Sequence, residues 1–130
     1  MILGLVAASA AGYAYFQFLH VGLQLTYKDI SVADTKAMIE SNPSLLILDV
    51  RTAQEYTQEH LNAAINIPLS DLSSRTGELE KNRQVLVYCQ SGSRSAQASD
   101  ILVKAGFTNV YNMSGGMTSW INAGYPTVTQ

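Results

Sequence analysis

The sequence predicts an α/β domain built on a parallel sheet, and three observations carry that reading. From Tyr27 onward, short apolar runs of strand length alternate with stretches of helical pattern. Two of the runs, Leu45–Val50 and Gln84–Cys89, are almost continuously apolar, as strands covered on both faces must be. Strands alternating with helical stretches make βαβ units, whose strands run parallel.

The elements follow in order. "YKDI" reads as a short strand. Ser31, with Asp34 three residues on, resembles a capping box, and Ala33, Ala37 and Met38 give the following helix an apolar face until Asn42-Pro43 stops it. "LLILDV" is a buried strand, "TAQEYTQEH" a short polar helix, and "AAINIP" a second strand ended by Pro68. Residues 69–82 are polar and turn-rich, with a helical turn or two. "QVLVYC" is the third buried strand. In "SAQASDILVKAG", Ala98, Ile101, Leu102 and Ala105 share a face, Lys104 lies in the last turn and Gly106 takes the C′ position. "NVYNM" is a strand, "SGGM" a turn, "TSWI" a helical turn and "NAGYP" a terminating loop.

Composition narrows the function. One hundred and thirty residues fit one small domain. A formal charge of −2 with no basic run gives no footprint for nucleic acid. A single cysteine excludes an internal disulfide or a CxxC pair, and with two histidines a metal site is not expected. Any sulfur redox chemistry must use an external partner.

The charges are unevenly placed: no Asp, Glu, Lys or Arg precedes Lys28. Residues 1–25 therefore read as an apolar N-terminal helix and 26–130 as the domain. The stretch 2–25 meets the length of about 20 apolar residues that a bilayer span needs, so a single-pass membrane anchor is the favoured reading. A cleavable signal peptide with Ala8-Ser9-Ala10 as its site would have too short an apolar core and no basic flank. A helix packed on the domain would be expected to show a charged outer face, and none is present. Gly4, Ala8 and Gly12, spaced by four, would let two such helices approach as a dimer, although small residues are frequent in any apolar helix. Lys28 and Lys36 on the C-terminal flank favour a cytoplasmic domain over the alternative, a periplasmic or extracytoplasmic one.

Cys89 is the candidate nucleophile. It ends an apolar strand, and in a parallel sheet the ligand crevice lies beyond the strands' carboxyl ends. Asp49 and Arg51 end another strand at the same edge. After Cys89 come Gln90, Ser91, Gly92, Ser93, Arg94 and Ser95, then a helix. Gly92 permits a tight loop whose N–H groups turn inward as an anion-binding nest, and the helix N-terminus adds further donors. Arg94 adds a fixed positive charge, and Ser91, Ser93 and Ser95 add hydroxyls. Such surroundings lower a thiol pKa and make thiolate available near neutrality. The bland alternative, a small buried hydrophobe, suits a cysteine inside a strand better than one at its end.

"YCQSGSRSAQASD" resembles the active-site loop of the rhodanese (thiosulfate sulfurtransferase) family. The resemblance extends through Asp-Val-Arg, Glu-Tyr, His and Asn-Ile-Pro elements in "LLILDVRTAQEYTQEHLNAAINIPL", and through Gly-Phe, Gly-Gly-Met and Trp elements after the loop. It implies a single-domain rhodanese fold, with a central parallel five-stranded sheet flanked by helices. It also implies a ping-pong reaction. The Cys89 thiolate takes the sulfane sulfur of a small-molecule donor (thiosulfate or a persulfide), and the Cys89 persulfide passes it to a thiophilic acceptor, a cyanide, a thiol or a protein. The loop N–H groups would stabilise the anions, Arg94 would hold the donor, and no cofactor or metal is called for. Thiolate attack needs no proton transfer in its first step, so Asp49 and Arg51 are expected to brace the loops and His60 to be structural. Trp120, Phe107 and Tyr111 read as core or pocket wall.

Two departures stand out. The second loop position, often basic in the family, is Gln90, and the segment often written His-Ile-Pro-Gly-Ala is His60-Leu61-Asn62-Ala63-Ala64. A cysteine phosphatase, the nearest rival, wraps a Cys-x5-Arg loop around its oxyanion, whereas Cys89-x4-Arg94 is one residue shorter. A tethered binding module or a dedicated persulfide carrier with little small-molecule turnover is the alternative from another class.

Overall fold

The computed structural model describes residues 26–129. The expected N-terminal helix, and with it the anchor and dimer readings, lies outside the described residues. Among those described, no helix is long and apolar enough to cross a membrane.

Five strands, β1 (Lys28–Ile30), β2 (Leu46–Asp49), β3 (Ile65–Asn66), β4 (Val85–Tyr88) and β5 (Val110–Met113), form one sheet in the order β1-β5-β4-β2-β3. Every pairing is parallel. Helices α1 (Val32–Ser41), α2 (Ala53–Gln58), α3 (Leu69–Arg75) and α4 (Ser93–Lys104) make the connections, with a 3₁₀ turn at Thr76–Glu78, and α5 (Gly116–Asn122) follows the last strand. The expected α/β architecture is present.

Strand alternation sorts the core into two layers. Leu46, Leu48, Val85, Val87 and Val110 face α3 and α4, where they meet Leu72, Ala98, Leu102 and Phe107. Ile47, Leu86, Tyr88 and Met113 face the other way, against Met117 and Trp120 of α5, with Met38 and Ile39 of α1 beside them. Phe107 and Trp120 are thus core residues, with Tyr111 half-buried at the margin. At about 1.5–3 kcal/mol per large apolar side chain removed from water, these layers supply the main favourable term of folding.

Three details differ from the sequence reading. In α1 the Ser31 hydroxyl does accept from the Asp34 N–H. The packed side, however, is Val32, Thr35, Met38 and Ile39, while Ala33 and Ala37 are exposed. Helix orientation follows the larger apolar areas, and alanine contributes little to that choice. The strand expected over "AAINIP" shrinks to Ile65–Asn66, because Ala63 takes a left-handed φ of 70° and the strand lies at the sheet edge. The turn "TSWI" belongs to a seven-residue helix that already starts at Gly116.

Candidate active site

β2 and β4 are neighbours in register, with Asp49 opposite Tyr88. Their carboxyl ends therefore deliver Asp49–Arg51 and the Cys89 loop side by side. Cys89 continues the alternation of β4 onto the α3/α4 face and is buried.

The chain then turns back on the sulfur. Gly92 takes φ 113°, open to glycine and costly for other residues, and serves as the N-cap of α4. This brings the N–H of Gly92 to 3.1 Å and that of Ser95 to 3.2 Å from Cys89 Sγ, with Ser95 Oγ at 3.3 Å. Burial alone pushes the thiol pKa up. The hydrogen bonds from the Ser95 hydroxyl and N–H and from the Gly92 and Ser91 N–H groups outweigh it, and the pKa lies below its ordinary value. The Ser95 hydroxyl also contacts the Gly92 carbonyl at 3.1 Å, so its single proton can turn from that carbonyl to a thiolate. The hydroxyls of Ser91 and Ser93 do not join this cradle: both residues are exposed, because the nest turns backbone N–H groups inward and leaves those side chains outside.

A second loop clamps the first. Met117 N–H donates to the Cys89 carbonyl at 2.9 Å and Thr118 N–H to the Gln90 carbonyl at 3.1 Å. The free N–H groups at the start of α5 thus hold the carbonyls of the cysteine loop, leaving its N–H groups for the sulfur. The contact requires Gly116: a Cβ there would lie 2.5 Å from the Cys89 carbonyl oxygen and 2.6 Å from the Gln90 carbonyl carbon.

Asp49 and Arg51 brace this edge. Arg51 Nη2 lies 2.7 Å from Asp49 Oδ2 and 2.6 Å from the Glu59 carbonyl, and Nη1 donates to Gln90 Oε1 at 3.2 Å. The pair is almost fully buried. Burial works against the Arg51 charge, but the Asp49 carboxylate more than offsets it and raises the pKa. Asn66 Nδ2 donates to the carbonyls of both Asp49 and Arg51. Gln90, at the position often basic in the family, links Arg51 to the Thr118 hydroxyl. His60 is buried, stacked on Tyr56, with Nδ1 2.7 Å from the Tyr56 carbonyl.

Arg94 is placed differently from the sequence expectation. Its guanidinium is paired bidentately with Glu55, at 2.8 and 3.0 Å, instead of pointing free at an anion. Glu55 also completes the capping box of α2, accepting from the Thr52 N–H while the Thr52 hydroxyl accepts from its own N–H. The Arg94 contact holds the Glu55 pKa at about 2. Thr52-x-x-Glu55 is a legible capping signal, but its contact with Arg94, 39 residues away, is not.

A cavity of about 310 Å³ opens at the other end of the sheet, lined by Ile39, Leu45, Leu61, Trp120 and Pro126 among others and by no residue of the cysteine loop. It lies beside the amino ends of the strands and takes no part in this site.

A buried sulfur held by inward N–H groups at the carboxyl edge of a parallel sheet defines a cysteine-loop α/β protein. The chain belongs to the rhodanese family: the rhodanese-like domain model matches residues 31–123. It is 32% identical over 103 residues to thiosulfate sulfurtransferase GlpE of Coxiella burnetii, covering 79% of this chain and 94% of that protein. It is 46% identical over 70 residues to thiosulfate sulfurtransferase PspE of Escherichia coli, covering 52% and 67% respectively. The putative sulfur carrier protein YrkF of Bacillus subtilis is 38% identical over 92 residues, 71% of this chain but only 50% of that protein. The crystal structure of a rhodanese-related protein from Thermoplasma volcanium superposes with a TM-score of 0.72 at 36% identity, over 80% of this chain and all of that one.

Proposed function

We propose that the protein is a sulfurtransferase in which Cys89 carries the transferred sulfur as a persulfide. The observation that carries this reading is the donor cradle on Cys89 Sγ, two N–H groups at 3.1 and 3.2 Å and the Ser95 hydroxyl at 3.3 Å. The thiolate attacks the sulfane sulfur of a donor such as thiosulfate. The bond to the sulfonyl sulfur breaks, its electron pair leaves with sulfite, and the extra sulfur stays on Cys89. A thiophilic acceptor, cyanide or a thiol, then removes it. Donors fixed in position around the reacting sulfur stabilise charge without reorganising, which is the electrostatic contribution expected at such a site.

The likeness to a putative sulfur carrier supports a second reading, in which the persulfide is handed to one protein acceptor with little small-molecule turnover. A membrane span by residues 2–25 would restrict either activity to acceptors near a bilayer.

The test is the intact mass of the full chain after brief exposure to thiosulfate or a thiosulfonate, with Cys89→Ser beside it. One added sulfur on the wild type, absent from the variant and discharged by cyanide, is the expected result. No adduct on a folded wild type refutes small-molecule sulfur transfer. An adduct that cyanide discharges only slowly favours the carrier.

A further inference from the structure

We infer that Glu55 sets the donor preference of this site, turning it toward organic sulfane donors with a single negative charge and away from the thiosulfate dianion. The inference rests on the sulfur-transfer reading above and concerns which donor that reaction takes.

The reasoning is a charge count. Of the eight Lys and Arg residues in the chain, six are in ion pairs: Lys36, Arg51, Arg75, Arg83, Arg94 and Lys104. Among the described residues, Lys28 and Lys81 have no carboxylate partner. Lys28 opens β1 and Lys81 precedes β4, so both lie toward the amino edge of the sheet, away from Cys89. At the carboxyl edge the cations are Arg51, matched by Asp49, and Arg94, matched by Glu55. Gln90, the other loop position that could add charge, is neutral. Glu59 enters this edge through its carbonyl, which accepts from Arg51, while its carboxylate accepts from the Thr127 hydroxyl.

The mouth therefore offers an anion the backbone cradle and no unmatched cation. Thiosulfate must bring two negative charges next to the Cys89 thiolate, and Arg94, in the first turn of α4 beside Ser95, is already held by Glu55. An organic thiosulfonate brings one. The step balances without a co-reactant. Cys89 Sγ forms a bond to the sulfane sulfur, and the bond from that sulfur to the sulfonyl sulfur breaks. Its electron pair leaves on an organic sulfinate, so two monoanions become a sulfinate and a Cys89 persulfide anion.

Glu55→Gln tests this cleanly, since glutamine can complete the same capping box while losing the charge that neutralises Arg94. The measurement is kcat/KM for thiosulfate and for benzenethiosulfonate, with cyanide as acceptor, at low and high salt. The ratio of the two donors cancels their common dependence on Cys89 and on folding. The expected result is a shift of about tenfold toward thiosulfate in Glu55→Gln at low salt, the screened remnant of a unit charge near a protein surface. The shift should shrink at high salt and vanish in Glu55→Gln/Arg94→Gln. A ratio within about twofold of wild type at low salt would overturn the inference and leave sulfur transfer standing. Failure of both donors to load Cys89 on folded wild-type protein would instead remove the sulfur-transfer reading, and the inference with it.

Discussion

Replacing Gly116 by alanine should damage the site directly, because the added methyl meets the backbone of the cysteine loop itself. Two costs combine. At φ 56° a Cβ carries a left-handed penalty of about 1–2 kcal/mol. The new methyl also lies 2.5 Å from the Cys89 carbonyl oxygen and 2.6 Å from Gln90 backbone atoms, so one of the two loops must move. The bonds at risk are Met117 N–H to Cys89 O and Thr118 N–H to Gln90 O, each worth about 0.5–1.5 kcal/mol. Together the loss is about 2–5 kcal/mol, or roughly 10–25 °C in Tm for a domain near 100 residues. Gly124→Ala is the control: its φ is 81°, yet a Cβ there meets nothing within 4 Å, so only the conformational cost of about 1–2 kcal/mol applies. Thermal denaturation of both variants measures the difference, and alkylation of Cys89 by iodoacetamide across pH reports on the cradle. Gly116→Ala should shift the alkylation midpoint upward, since moving the loop loosens the N–H groups around the sulfur. Equal Tm losses in the two variants, with an unchanged alkylation profile, would refute the view that the α5 loop clamps the cysteine loop.

Other consequences follow from the same geometry. In wild type the iodoacetamide midpoint should fall below the ordinary thiol value of about 8.5, and Ser95→Ala should raise it by removing the hydroxyl from Sγ. Because the folded pKa is depressed, the thiolate's contribution to stability is complete above the unfolded pKa and lost as pH falls through the folded one. The stability advantage of wild type over Cys89→Ser, from urea melts, should therefore grow as pH is raised toward about 8.5. Asp49→Ala strands Arg51 in a buried site and should cost about 3–5 kcal/mol in urea unfolding, whereas Glu55→Gln, at a pair about one-third exposed, should cost under about 1 kcal/mol. With Glu55 ionised down to about pH 2, the pH profile of sulfur loading should show no inflection near the ordinary glutamate value of about 4.3.

Read in one dimension, the chain already specifies the architecture and the place of Cys89 at the carboxyl edge of the sheet. Continuous apolar runs at Leu45–Val50 and Gln84–Cys89 can be buried only between two helical layers, and a cysteine at the end of such a run before Gly92 falls at the crevice edge of a parallel sheet. Strand periodicity is local, so it survives in one dimension. The side of α1 that packs was less legible, since Ala33 and Ala37 carry too little area to outvote Val32, Met38 and Ile39. How the site is wired depends instead on contacts between elements far apart in the chain. Arg94 reads in sequence as a free anion ligand, yet it pairs with Glu55 from a helix 39 residues earlier. Gly116 reads as a turn residue, yet its missing side chain lets the α5 backbone reach the Cys89 and Gln90 carbonyls. Both depend on which loops the strand order β1-β5-β4-β2-β3 places side by side. Residue spacing reports what lies on one element, but the partner of a charge or the neighbour of a glycine is set by how separate elements pack.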